Sequence, residues 1–206
     1  MKIMCVAFNY PSHNKELEPT LVRQESPVIF MKPDSAILKN GKPFFIPDFA
    51  EQFEYETELV VRINKMGNCM SERFAPRYYD AVTVGIDFTA RDLQRTLRSQ
   101  GFPWDLSKGF DGSAILGDFV PVEELECPVG ELCFHLDIDG RTVQTGCARD
   151  MLFSIDRLVT YVSRFCTLKT GDLLFTGTPA GTGPVHVNQH LDGWLGDKKV
   201  LSFNVK

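Results

Sequence analysis

Strand-like apolar runs in this 206-residue chain are short, turn residues interrupt them often, and only two stretches carry a convincing helical period. Residues 3–8 read as a strand, and 28–31 as a buried strand stopped by Pro33. Asn40-Gly41 predicts a hairpin turn before a strand at 44–46. A longer strand covers 54–63, with Leu59, Val60 and Val61 carrying it into the core. Residues 132–138 alternate cleanly and turn at Asp139-Gly140, and 172–175 form a further strand. One helix is expected over 89–100, capped by Thr89 with Asp92 in the capping-box position and ended by Gly101. The other covers 154–165, with Ile155, Leu158, Val159, Val162 and Phe165 on one face. Residues 11–26 turn polar and lose their period, as a loop or short mobile helix does. No repeat, linker or low-complexity tract divides the chain, so residues 1–206 read as one β-rich α+β domain.

A domain of this length buries roughly 70% of its unfolded surface. Sixteen Phe against two Trp point to a filled apolar core rather than an aromatic binding platform. The net charge of −5 argues against nucleic acid, which needs a basic surface. An anionic substrate must then be held locally, by a metal or a few cations. The six cysteines show no paired spacing and read as reduced thiols. No segment approaches membrane-spanning length and the N-terminal apolar run is too brief for a signal peptide, so a cytoplasmic protein is expected.

The chemistry concentrates in acids. Glu56 and Glu58 lie two apart in a strand, so their carboxylates share a face. By default such a pair is a solvated face, but the flanks here are apolar. A third acid, Asp87, ends the apolar run 82–87. Carboxylates pressed together away from water repel one another and resist desolvation, and a divalent cation removes both penalties. Three carboxylates without Cys or His suit a hard ion, Mg²⁺ or Mn²⁺, and leave positions for water and a chelating substrate. His13 and Glu16, three apart in the polar N-terminal stretch, read either as surface residues or as a base and its orienting carboxylate on a mobile cover. Arg91, Gln94 and Lys108 are candidate substrate contacts, the first two one turn apart on the helix after Asp87. The glycine-rich stretch 176–183 lacks a P-loop ending; its backbone N–H groups and the Thr178 hydroxyl are placed to approach a small anion.

These residues resemble the fumarylacetoacetate hydrolase family, and within it the short acylpyruvase-like members. The resemblance is carried by residues 9–16, 27–33, 55–59 (Tyr-Glu-Thr-Glu-Leu), 87–94 (Asp-Phe-Thr-Ala-Arg-Asp-Leu-Gln), 104–110, 151–154 and 171–179 with its Thr-Gly-Thr-Pro. It implies a mixed β-sandwich roll with two or three helices, forming a homodimer. It further implies that Glu56, Glu58 and Asp87 bind the metal. His13 and Glu16 would form a dyad on a lid at 11–26, Lys108 would assist catalysis, and Arg91, Gln94, Lys108 and Thr178 would contact substrate. The expected substrate is a small 2-oxo acid that chelates the ion, which acts as a Lewis acid. Hydrolytic C–C cleavage of an acylpyruvate to pyruvate and a carboxylic acid is the leading reading. Oxaloacetate decarboxylation or tautomerisation, and isomerisation of a 2-hydroxydienedioate, use the same site. A metal-stabilised binding protein without catalysis is the non-enzyme alternative.

Overall fold

The apolar runs become the strands of three sheets in the computed structural model, which describes residues 1–17 and 24–206. In chain order the elements are β1 (Ile3–Ala7), α1 (Pro11–Leu17), β2 (Val28–Lys32), β3 (Ile37–Lys39), β4 (Phe53–Tyr55), β5 (Thr57–Ile63), β6 (Tyr79–Asp87), β7 (Thr89–Ala90), α2 (Arg91–Ser99), α3 (Asp105–Lys108), β8 (Ala114–Leu116), β9 (Val120–Pro121), β10 (Cys133–Ile138), β11 (Arg141–Cys147), α4 (Ile155–Ser163), β12 (Leu173–Phe175), β13 (Gly183–Pro184), β14 (His190–Leu195) and β15 (Lys198–Asn204). A large mixed sheet runs β2-β1-β12-β5-β6-β8-β3, with β9 also on β6. A second sheet runs β11-β10-β14-β15, and a small one β13-β4-β7. This is the β-rich α+β architecture expected.

Strands β5 and β6 are buried almost throughout, which is why they read as continuous apolar runs rather than alternations. One apolar cluster joins their Leu59, Val61, Val82 and Val84 to Phe134, Leu195 and Val200 of the second sheet and to the inner face of α4. That face is Ile155, Leu158, Val159 and Val162, each side chain contributing roughly 1.5–3 kcal/mol on burial. Ser154 caps α4 by accepting from the Arg157 N–H at 3.2 Å. The β10–β11 hairpin turns at Asp139 (φ 51°) and Gly140 (φ 76°), the two positive φ values that a tight hairpin turn demands.

Several expectations are corrected. Phe165 lies beyond α4 and is 70% exposed, because the helix ends at Ser163, two residues before the end its apolar period suggests. The first expected helix starts at Arg91, since Thr89 and Ala90 pair with Glu54 and Phe53 of β4 before it can begin. Thr89 therefore caps nothing, and Asp92 accepts from the Glu51 N–H at 2.9 Å instead of closing a capping box. Strand β2 is only half-buried, as befits an edge strand. Gly41 does turn with φ 77°, but β3 pairs with β8, and Phe44 forms an isolated bridge to Val205. Cys133 and Cys147, expected as reduced thiols, sit directly opposite across β10–β11 and are disulfide-bonded. Only the strand register reveals that pairing. The expected lid at 11–26 is represented by α1 and the residues from 24 onward; its remainder, 18–23, lies outside the described residues.

The strand expected over 54–63 is broken at Glu56. Residues before it pair with β13 and β7, and those after it pair with β6 and β12. The chain makes the same crossing between sheets at Phe88, from β6 to β7. Both segments that carry acids thus change sheets at the same level. The site occupies that seam.

Candidate metal centre and active site

Glu56, Glu58 and Asp87 are buried, and ligand oxygens from all three lie within 4.8 Å of one another. The β5–β6 register explains the convergence, since Thr57 lies opposite Ile86 at the level where both segments leave the large sheet. The three acids are not equivalently partnered. Glu56 accepts from Arg91 Nη2 at 2.6 Å and from Lys108 Nζ at 2.8 Å. Asp87 pairs through Oδ1 with Lys32 Nζ at 2.7 Å and through Oδ2 with Lys108 Nζ at 2.9 Å. Glu58 accepts the Gly177 N–H at 2.7 Å and has no cationic side chain beside it among the described residues.

The electrostatics follow. Burial opposes ionisation of Glu56, yet Lys108 and Arg91 outweigh it and hold its pKa well below the ordinary carboxylate range. At Glu58, burial and then the neighbouring Asp87 and Glu56 push the pKa well above that range. The demand for a further positive charge is therefore concentrated at Glu58. A buried all-carboxylate donor set with one under-compensated member fits a hard divalent cation.

His13 lines the cavity above the triad, together with Glu56, Glu58, Arg91, Gln94, Arg98, Lys108 and Thr178 and an aromatic wall of Phe8, Phe30 and Trp104. The aromatic content is thus partly a site wall, contrary to the expectation that it only fills the core. Burial lowers the pKa of His13, with Arg91 and Lys108 adding to the effect against the opposing pull of Glu56. The shift favours the neutral imidazole, the form able to accept a proton. The Glu16 carboxylate is 3.7 Å from His13 Nδ1, too far for a hydrogen bond. It accepts instead from the Gly181 N–H at 3.1 Å.

Several roles shift accordingly. The N–H groups at 176–183 do approach anions, but the anions are the chain's own Glu58 and Glu16. Gly177 has φ 97°, and a Cβ there would meet Asn9 Cβ at 2.8 Å, so no other residue fits. Arg91, expected at the substrate, directs Nε to Glu54 at 2.7 Å, Nη2 to Glu56 and Nη1 to Gln94 Oε1 at 2.7 Å. The Thr178 hydroxyl donates to Thr57 O at 2.9 Å rather than pointing its proton into the cavity. The remaining histidines stand apart: His135 stacks on Trp194, and His190 belongs to β14 rather than to a loop.

Sequence reasoning missed Lys32, Glu54 and Gln144. Lys32 is buried, with Nζ also 3.0 Å from Ser113 Oγ and bonded to Lys108 O. Its one signal was a lysine closing an apolar run immediately before Pro33. Glu54 continues the two-residue spacing of Glu56 and Glu58, whereas Gln144 gave no signal.

The chain is similar to known proteins along its whole length. Mouse oxaloacetate tautomerase FAHD1, mitochondrial, is 36% identical over 204 residues, 99% of this chain and 91% of the relative. The crystal structure of fumarylpyruvate hydrolase from Pseudomonas aeruginosa in complex with Mn²⁺ and pyruvate superposes with a TM-score of 0.92 at 33% identity, covering 100% of this chain and 89% of that one. That of 2-hydroxyhepta-2,4-diene-1,7-dioate isomerase from Mycobacterium marinum gives 0.84 at 27%, covering 99% and 73%. The family model described as fumarylacetoacetate (FAA) hydrolase C-terminal matches residues 2–205, and the chain belongs to the fumarylacetoacetate hydrolase family.

Proposed function

We propose that this protein is a Mg²⁺- or Mn²⁺-dependent hydrolase that cleaves a C–C bond in acylpyruvate-type 2,4-dioxo acids, yielding pyruvate and a carboxylic acid. The observation that carries the reading is a buried His13 in the same cavity as the three-carboxylate cluster. A divalent cation held by Glu56, Glu58 and Asp87 would supply Lewis-acid polarisation of a 2-oxo carbonyl. Charge balance supports it. Glu54, Glu56, Glu58 and Asp87 face Lys32, Arg91 and Lys108, leaving one negative charge that a divalent ion and one substrate carboxylate together neutralise.

The chain's own residues do the rest. His13 takes a proton from water set over the distal carbonyl, and a sub-ångström approach by Glu16 brings it within hydrogen-bond distance to hold the imidazole. Lys108 has three N–H donors, two spent on Glu56 and Asp87, and the third faces developing negative charge on substrate. The Gln94 carbonyl is taken by Arg91, which leaves the amide NH₂ as a donor to substrate. Phe8, Phe30 and Trp104 receive the acyl portion and keep water from it.

A second reading, oxaloacetate tautomerisation, is supported by the name of the 36%-identical mouse relative and by the separation of Glu16 from His13, because moving a proton needs a base but no water nucleophile. Pyruvate release from acetylpyruvate, measured with and without Mg²⁺ beside keto–enol exchange of oxaloacetate, tests both. Metal-dependent exchange with no pyruvate release reverses the order of the two readings.

A further inference from the structure

We propose that Gln144, on an edge strand of the second sheet, is a positioning residue for the metal centre: its side-chain amide locks Thr57, the residue between Glu56 and Glu58, and sets the direction of the Thr178 hydroxyl. The inference rests on the metal reading above. Gln144 is 2% exposed, and its side-chain hydrogen bonds are directed at the seam. Its Oε1 accepts the Thr57 N–H at 3.0 Å, and its Nε2 donates to Thr178 Oγ1 and Pro179 O, both at 2.8 Å. The Thr178 hydroxyl closes a ring by donating to Thr57 O at 2.9 Å.

On the β12 side no ladder is available at this place, while the other side pairs with β6. Strand β12 ends at Phe175 opposite Val60, and the chain resumes pairing only at Gly183 opposite Tyr55. Across the gap lie Glu56, Thr57 and Glu58. Thr57 would expose a buried, unpaired N–H here, at a cost of about 1–3 kcal/mol, without an acceptor from outside the sheet. The chemistry leaves the ring no freedom. The Thr57 N–H is a donor, so the amide must turn Oε1 toward it. The NH₂ then gives its protons to Pro179 O and Thr178 Oγ1, and the Thr178 proton can go only to Thr57 O. Two metal-binding carboxylates flank a residue whose N–H and C=O are both fixed by side chains that Gln144 orients. Partners of this kind, one bond removed from the ligands, typically set 10–100-fold in metal affinity.

Mn²⁺ titration of the full chain by calorimetry, with the electron paramagnetic resonance spectrum of the bound ion, provides the test. In Gln144→Ala we expect the Mn²⁺ Kd to weaken at least 10-fold and the spectrum to change. Gln144→Met, which fills the same volume without either hydrogen bond and so keeps the fold should the alanine variant lose it, should do likewise. Leu158→Ala, which lowers Tm from a remote core position, should leave Kd and spectrum unchanged and so separates positioning from general loosening. Wild-type affinity and spectrum in a folded Gln144 variant overturn the inference while the metal reading stands. If the wild-type protein itself binds no Mn²⁺, both fall.

Discussion

Lys32 and Glu54 alter how the acids must be understood at the level of single residues. Treated as three bare carboxylates, the cluster would need a cation merely to fold. With Lys32, Lys108 and Arg91 in place, only Glu58 lacks a compensating side chain among the described residues. Glu58→Gln removes that unmet charge, so the isolated protein should fold as well as wild type or better, while Mn²⁺ affinity and pyruvate release are lost together. Calorimetry and a coupled pyruvate assay check this, and full activity in metal-depleted buffer would remove Glu58 from the site. His13 allows a separate prediction. Burial holds its pKa below the ordinary value of about 6.5, so it is deprotonated to lower pH than a free histidine and the acid limb of kcat/KM should lie below that value. His13→Ala should lower acylpyruvate hydrolysis about 10²-fold or more, abolish that limb and spare Mn²⁺ affinity. A limb that survives the substitution would assign the base elsewhere.

At the level of elements, the seam decides the site. β4–β5 and β6–β7 are each one apolar stretch in sequence and two strands in space, because their halves serve different sheets. The acids sit where the chain passes from one sheet to the other, with Glu58 and Asp87 still inside the β5–β6 and β6–β8 ladders. α4 is the contrasting case, a helix whose start and, Phe165 apart, inner face were legible. Ser154→Ala should cost about 1 kcal/mol by removing that cap and lower Tm by roughly 2–4 °C, with kcat/KM unchanged because α4 touches nothing in the cavity. Calorimetry with a steady-state assay checks it, and a fall in activity without a Tm shift would contradict the assignment.

For the whole molecule, the metal couples to stability through pH. The pKa of Glu58 is raised above its unfolded value of about 4.3, so its contribution to stability is complete below that pH and is lost as pH rises through the folded value. Glu56 runs the other way, its depressed pKa adding stability that disappears on acidification. A divalent cation compensates the Glu58 loss, so the Tm gained on adding Mn²⁺ should grow as pH rises above about 4.3. A gain independent of pH would mean the ion binds elsewhere. We also propose the homodimer that the family resemblance implies, with exposed Phe49 and Leu106 beside Phe110 as its apolar contact. Light scattering should give twice the 23.2 kDa chain mass, reduced to one by Phe49→Asp with Leu106→Asp. An unchanged mass in that variant places the contact elsewhere. No helix among the described residues is long and apolar enough to cross a membrane, and the named mouse relative is described as mitochondrial.

By itself the sequence determined what local chemistry encodes: the β-rich class, the Asp139-Gly140 hairpin, the inner face of α4 apart from Phe165, and Glu56, Glu58 and Asp87 as candidate ligands, whereas His13 was singled out only through the family resemblance. Apart from His13, each is a matter of residue type at a short, regular spacing, governed by side-chain period, turn geometry and the cost of burying charge. Only the tertiary structure decided the rest. The break at Glu56, the delayed start of α2 and the Cys133–Cys147 bond depend on strand register, which no single segment carries. Lys32 reaches Asp87 from 55 positions away along the chain, Gln144 reaches Thr57 from 87 positions away, and the guanidinium of Arg91 bonds Glu54 and Glu56. A buried charge or amide takes its role from whichever unsatisfied group the fold sets beside it, and that neighbour exists only once the sheets have closed.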